Sequence, residues 1–376
     1  MQLQPRRRAT GEPYEEEFPI TRRYSYLNNA AVSPLPRRVI SAVSKFDEER
    51  ASEGDLAWGR WMEALEETRR LAAELIRASP DEIAFVKNTS EGVSAIANSL
   101  DWKPGDKVVT TDSEFPSNLY PWLNLRRRGV EVELVGHGRD GAISLEEIGR
   151  AARGARLVAI SHVQYASGFM TDLRALRDAI GGDALLFVDA IQSLGAIRFD
   201  CRPADFVASG GHKWLLAPFG IGILYIRRGL ELEPAEVGWM SAEDPEALSQ
   251  ELKLAGSARR FECGCHDYSA VYGLREALKL LSEVGMGAVE RRVRSLADLA
   301  VERALEMGVE LQTPVDPGKR AGIVNLKVDG PEALAHRLLG RGVVVAARMG
   351  GLRLSPHFYN REGDLERFFE ALAGLR

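Results

Sequence analysis

Between residues 80 and 226 the chain alternates short apolar runs with amphipathic ones, and this rhythm is what most limits the fold it can adopt. Residues 83–86, 107–111, 130–135, 156–160, 185–188, 206–208 and 220–226 read as strands. Residues 93–100, 145–152 and 173–180 read as helices. Strands alternating with helices predict an α/β fold with a mostly parallel sheet covered on both faces. Ligands of such sheets bind beyond the carboxyl ends of the strands, so chemistry is expected from the residues found there.

Two of those ends carry suitable groups. Strand 185–188 runs directly into Asp189. Strand 206–208 runs into Ser209-Gly210-Gly211-His212-Lys213, a turn that delivers a lysine at a fixed point. Alone, a lysine after a Gly-Gly turn is usually solvated, and an aspartate closing a strand equally well caps a helix or a turn. Together they are the pair that pyridoxal phosphate chemistry requires. The lysine holds the cofactor as a Schiff base, and the acid keeps the pyridine nitrogen protonated so that the ring draws off electrons. A third strand end adds Lys87-Asn88-Thr89-Ser90-Glu91-Gly92, which opens a helix. Hydroxyls and free N–H groups at a helix start bind anions, which makes Thr89 and Ser90 candidates for the cofactor phosphate. The same residues also suit an ordinary N-cap.

Six ordered motifs extend the pattern over residues 26–372: Tyr26-Leu27-Asn28-Asn29-Ala30-Ala31, Asn88-Thr89-Ser90-Glu91-Gly92, Glu114-Phe115-Pro116-Ser117-Asn118, Val188-Asp189-Ala190-Ile191-Gln192-Ser193, Ser209-Gly210-Gly211-His212-Lys213 and Arg353-Leu354-Ser355. With them the sequence resembles the class V aminotransferases. These are fold-type I pyridoxal phosphate enzymes that include cysteine desulfurases, kynureninase and isopenicillin N epimerase. The resemblance implies a large cofactor domain with a mostly parallel seven-stranded sheet between helices, and a small α+β C-terminal domain. It also implies a small amino-acid substrate and a homodimer with active sites near the subunit interface.

Residue by residue, the resemblance implies Lys213 as Schiff-base lysine and general base, Asp189 at the pyridine nitrogen, and Phe115 stacked on the ring. Ser209 and His212 join Thr89 and Ser90 at the phosphate, as does the indole N–H of Trp239. Gln192 reaches the phenolic oxygen, with Tyr165 or the neighbouring Gln164 beside it. Arg353 grips the substrate carboxylate, Arg348 is a second candidate, and Asn29 offers an amide. Asn28 and Asn29 suit a simple turn as well, Trp58 and Trp61 suit core packing as well as a substrate pocket, and His162 suits a buried structural role.

Three departures limit what carries over. Phe115 stands where desulfurases have a histidine, and a phenyl ring stacks but shuttles no proton. Desulfurases carry a nucleophilic cysteine on a mobile loop before the substrate arginine, whereas Arg348-Met349-Gly350-Gly351-Leu352 is short and has none. Cys265 stands where relatives place a threonine that reaches the partner subunit's phosphate, and a thiol is the poorer donor. The expected activity is therefore that of a lyase or epimerase of the kynureninase or isopenicillin N epimerase kind. A true aminotransferase is the alternative, and a desulfurase is disfavoured. A non-catalytic scaffold would need none of Lys213, Asp189 and Arg353.

Length and composition agree with this. The 376 residues suffice for two domains, and 49 basic against 54 acidic residues leave no global charge for nucleic acid. Three cysteines suggest no disulfide framework and fit a reducing cytosol. Cys263-Gly264-Cys265 with His266 lacks a second ligand pair, so no metal site is expected. No run of about 20 apolar residues occurs and none of signal length follows Arg6-Arg7-Arg8, so a cytoplasmic protein without membrane contact is expected. The expected divisions are an arm at 1–25, mobile or strapped onto a neighbouring subunit, and a segment at 26–50 packed with the small domain. The large domain is expected at 51–258 and the small domain at 259–376. Residues 37–77 read as helical with a break at Gly54-Asp55 and an apolar face of Leu56, Trp61, Leu65, Thr68, Leu71, Ala72 and Leu75.

Overall fold

The computed structural model describes residues 14–375. A two-residue strand, β1 (Ser25–Tyr26), precedes a central sheet of seven: β2 (Ile83–Val86), β3 (Lys107–Thr111), β4 (Glu131–Val135), β5 (Leu157–Ser161), β6 (Leu185–Asp189), β7 (Phe206–Gly210) and β8 (Gly222–Ile226). Their order is β2-β8-β7-β6-β5-β3-β4, parallel from β7 to β4, with β8 antiparallel to both neighbours. In the inner strands the apolar runs are continuous because both faces are covered, whereas edge strand β4 alternates with exposed glutamates. Val158, Ile160, Leu186, Val188 and Val207 enter one core, and Leu157, Ala159, Phe187, Phe206 and Ala208 enter the other. Register matters most for the site. Ser161 pairs with Asp189 and Asp189 with Ala208, which aligns the carboxyl ends of β5, β6 and β7.

A second, smaller body contains β9 (Val324–Lys327), β10 (Val343–Val344), β11 (Ala346–Arg348) and β12 (Gly351–Leu354). Three of these form a sheet in the order β11-β12-β9, and β10 pairs in parallel with β1. Its own core includes Leu27, Leu296, Val301, Val324, Leu352 and Phe368. The N-terminal segment thus joins the C-terminal body through Ser25 to Asn28, while helix Arg37–Glu53 packs on helix Tyr268–Val284. Val271, Leu274, Leu281, Val289 and Val293 belong to the large core. Helix Met286–Glu306 contributes to both cores, Val289 and Val293 to the large one and Leu296 and Val301 to the smaller.

Residues 1–13 of the expected arm lie outside the described residues. The described part of it packs on its own chain. Tyr14 and Phe18 are buried on their own chain, with the Phe18 ring stacked 4.0 Å from that of Tyr359. Leu56 also departs from expectation, at 83% exposed. It sits in the 3₁₀ turn Gly54–Ala57, and the helical register restarts at Trp58. Trp61, Leu65, Thr68 and Ala72 do form the buried face, with Trp61 against Phe46 and Tyr268. Among the described residues no helix is long and apolar enough to cross a membrane.

Candidate active site

The turn after β7 is held in one shape by its own backbone. Gly211 N–H donates to the Ile221 carbonyl (2.8 Å), Ala217 N–H to that of Gly211 (3.0 Å) and Leu216 N–H to that of Lys213 (2.9 Å). Leu216 adopts φ 60°, a left-handed conformation that costs a leucine roughly 1–2 kcal/mol. The strain sits three residues from Lys213, and the surrounding bonds hold it. The segment after β6 presses against this turn. A Cβ at Gly195 (φ +91°) would lie 2.1 Å from the Trp214 carbonyl oxygen, so only glycine permits the contact. The Trp214 indole donates to the Gln192 side-chain oxygen (2.8 Å), and the Gln192 amide donates to the Ala30 carbonyl (3.0 Å).

Above these strand ends lies a cavity of about 400 Å³. It is lined by Thr89, Ser90, Phe115, Tyr165, Asp189, Gln192, His212, Lys213, Arg348 and Arg353. Thr89 and Ser90 begin helix Thr89–Ser99, whose N-cap Asn88 accepts from the Glu91 N–H. The Thr89 hydroxyl oxygen accepts from Gly210 N–H (2.9 Å), which leaves its proton for a ligand. The Ser90 hydroxyl meets that of Ser117 (2.8 Å). Gln192 has used one of its two amide protons and keeps the other. The Lys213 ammonium lies 5.6 Å from the centre of the Phe115 ring, and Tyr165 meets that ring edge to face at 5.1 Å.

Three expected residues are not among those lining this cavity. Asn29 is fully buried; its amide donates to the Ser355 carbonyl (2.9 Å), and its oxygen accepts from Ser33 and Tyr359. It ties the N-terminal loop to the C-terminal body, and its hydrogen bonds go to the protein. Ser209 is buried in β7, with its hydroxyl near the Gly210 carbonyl (3.3 Å). Trp239 is 41% exposed and stacks on Trp58 at 6.3 Å, its apolar ring finding another indole. Gln164 faces a neighbouring cavity, although Tyr165 lines both.

The electrostatics of the cavity are those of charges kept from water. Burial raises the Asp189 carboxyl to about 7 against its Ile191 N–H bond; nearby Glu114 adds to the rise and Lys213 opposes it. Burial pushes Lys213 down to about 8, with Asp189 opposing and the two arginines assisting. Arg353 is 2% exposed, yet it donates only to the Tyr165 carbonyl (2.8 Å), and its Nε has no partner among the described residues. Burial and the charge of Arg348 lower it to about 10. His212, stacked on Phe219 at 4.9 Å, is held neutral at about 4 by burial and by Lys213.

Sequence reasoning assigned no role to Glu114. Its fully buried carboxylate accepts from Ser161 N–H (2.7 Å), the Ser161 hydroxyl, Asn118 (3.0 Å) and Gln164 (2.8 Å). Burial raises its pKa. It binds the loop that carries Phe115 to the loop that carries Tyr165. Its position directly after β3 and before Phe115-Pro116 was the available signal.

The family model for aminotransferase class-V matches residues 25–368. The chain belongs to this family. It is 32% identical to a probable cysteine desulfurase of Pyrococcus abyssi, over 97% of both chains. It is 31% identical to isopenicillin N epimerase of Amycolatopsis lactamdurans, over 93% of this chain and 94% of that one. The apo structure of a cysteine desulfurase from Thermococcus onnurineus NA1 superposes with a TM-score of 0.89 at 29% identity, covering 97% of this chain and 98% of the other. The protein is accordingly a fold-type I, pyridoxal phosphate-dependent enzyme, as are its structural neighbours.

The residues present fit that cofactor. Asp189 is a buried carboxylate without a salt bridge among the described residues, and the cationic nitrogen of a pyridinium would satisfy it. Thr89, Ser90 and the helix N-terminus suit a phosphate. Phe115 offers a ring face and Lys213 an amine. Among the described residues no group of three His, Cys, Asp or Glu could hold a metal.

Proposed function

We propose that the enzyme acts on an L-amino acid as a lyase or epimerase. The observation that carries this is the link between β11 and β12. Met349 (φ 49°) and Gly350 (φ 74°) turn the chain within two residues, between Arg348 and Gly351. Such a turn cannot carry a mobile nucleophilic loop, and no thiol lines the cavity. Cys263 and Cys265 are exposed on another loop.

Arg353 receives the substrate carboxylate. A buried guanidinium with N–H donors to spare suits a carboxylate. Pyridoxal phosphate, when bound, supplies the aldehyde that takes the substrate amine and the ring that accepts the electron pair left at Cα. Lys213 takes the Cα proton, and its depressed pKa makes the neutral amine accessible near pH 8. Asp189 holds a proton at the ring nitrogen. Phe115 would offer the cofactor ring a stacking face and carries no proton to return, so the later steps depend on Lys213 and on solvent. A homodimer completes the assembly.

The names of relatives favour a second reading, cysteine desulfuration. The deciding experiment incubates the holoenzyme with single L-amino acids and follows keto acid, ammonia, enantiomer ratio and pyridoxamine phosphate. Keto acid with ammonia, or the D-enantiomer, is expected. Alanine from cysteine with a persulfide on Cys263 or Cys265 would establish desulfuration instead. Accumulating pyridoxamine phosphate would establish transamination.

A further inference from the structure

The hairpin of β11 and β12 sets two arginines on one face. Directly paired residues of an antiparallel ladder project to the same side, and positions two apart on a strand share that side. Arg348 pairs with Gly351 and Ala346 with Arg353. Arg348 and Arg353 are therefore diagonal neighbours, at a separation that long side chains span. The opposite face sends Leu326 and Leu352 into the smaller core. Both arginines line the active-site cavity, together with Lys213. Arg348 lies close enough for its charge to help lower the pKa of both Arg353 and Lys213.

Arg348 is exposed, yet its backbone is fixed. Asn325, fully buried in β9, donates its side-chain amide to the Arg348 carbonyl (3.1 Å), and its own N–H donates to the Thr313 hydroxyl (2.8 Å). A Cβ at Gly351 would lie 2.3 Å from the Asn325 side-chain oxygen, so glycine is what lets Asn325 lie against the hairpin. The Arg348 guanidinium meets the Ala347 carbonyl (2.7 Å) and no carboxylate among the described residues. On the same face of β9, Lys327 is already paired with Glu310 (2.9 Å). Asp189 is the one acid among the residues that line the cavity, and it answers the cofactor's pyridine nitrogen. The cofactor's phosphate belongs to the start of helix Thr89–Ser99. One substrate carboxylate at Arg353 then leaves the charge of Arg348 unanswered.

We infer that Arg348 selects amino acids with an acidic side chain, receiving the side-chain carboxylate while Arg353 holds the α-carboxylate. This rests on the amino-acid reading above. The test titrates the holoenzyme with L-aspartate, L-glutamate, their amides L-asparagine and L-glutamine, and L-alanine, recording the cofactor absorbance for affinity and product for kcat/KM. Each amide matches its acid in shape and lacks the charge. The better of the two acids should bind about tenfold tighter than its amide. Arg348→Met should bring that ratio close to one, and Arg348→Lys, which keeps the charge, should retain part of it. Arg353→Met should weaken acid and amide by similar factors, because both carry the α-carboxylate. Acid and amide bound alike by the unaltered enzyme would overturn the role of Arg348 and leave the amino-acid reading standing. So would an acid preference that survives Arg348→Met with equal losses for both, which would place the two arginines on one α-carboxylate. Failure of every amino acid, L-alanine included, to perturb the cofactor spectrum would overturn both.

Discussion

Arg69 and Arg353 are equally buried, each 2% exposed, and are treated in opposite ways. Arg69 lies in helix Trp58–Ile76 and meets Glu262 twice (2.6 and 3.1 Å), Glu66 (3.2 Å) and the Ile83 carbonyl (2.8 Å). Burial alone would lower its pKa, but the two carboxylates raise it. Glu262 is completed by Phe85 N–H (2.8 Å) and His266 (3.0 Å), and despite its burial stays near 2. Arg353 has one carbonyl, no carboxylate and an idle Nε. A buried cation whose bonds are filled is architecture. A buried cation with bonds to spare, in the lining of a cavity, is suited to an incoming anion, which is the role proposed for Arg353.

The open site should show the largest effect in Lys213→Ala. Turnover should fall about 10³-fold or more, and borohydride should no longer fix the cofactor to the protein. Activity within tenfold of wild type would remove Lys213 from the chemistry.

The closed pair should show its effect in stability. Glu262→Gln leaves the buried Arg69 charge with only the half-exposed Glu66 as its anion and should cost about 3–5 kcal/mol in urea unfolding. The double change Arg69→Met with Glu262→Leu should cost much less, because no charge is stranded. KM of the folded fraction should not move in either. A KM that rises with the stability loss would mean that the pair reaches the site.

Arg353→Met sharpens the contrast from the other side. It should raise KM about 10²-fold, in keeping with roughly 1.5–3 kcal/mol for bonds to a charged group. Stability without substrate should hold or improve, since an underpaired charge has gone. A stability loss as large as that of Glu262→Gln would make Arg353 a structural residue.

This contrast marks what the sequence could and could not show. β2 to β8 were legible because strands covered on both faces read as apolar runs, and Asp189 and Lys213 because they end two of those runs. The Arg69–Glu262 pair was not. A basic residue within a charged helix reads as solvated, and its partner stands 193 positions away. The idle Nε of Arg353 was equally hidden, because an unmade bond leaves no mark in a sequence. Asn29 shows the reverse failure. The resemblance offered its amide to a substrate, with a simple turn as the alternative, while Ser355 takes an amide proton and Tyr359 donates to the amide oxygen, both more than 300 positions on. Leu56 was misplaced because one 3₁₀ turn resets the helical phase.

The smallest effect concerns acid, and it separates the closed pair from the buried rings. Burial holds His162 and His357 at about 4, below the usual 6.5, so the unfolded chain binds their protons first. The stability they permit is complete above pH 6.5 and is lost as pH falls toward 4. Glu262 acts lower. Its carboxyl is near 2 against an ordinary 4.5, so its contribution is complete above 4.5 and disappears only as pH falls toward 2. At pH 5.5 each buried histidine should cost about 1 kcal/mol relative to pH 7.5. The His357 ring bonds the Trp214 carbonyl (2.9 Å) beside the lysine turn. His357→Gln should flatten the stability curve between pH 6.5 and 4, whereas Glu262→Gln should flatten it only below 4.5. Urea midpoints across pH 3–8 for both variants measure this. A His357→Gln curve parallel to wild type would mean that this imidazole titrates freely in the folded protein, against the sealed packing around Trp214.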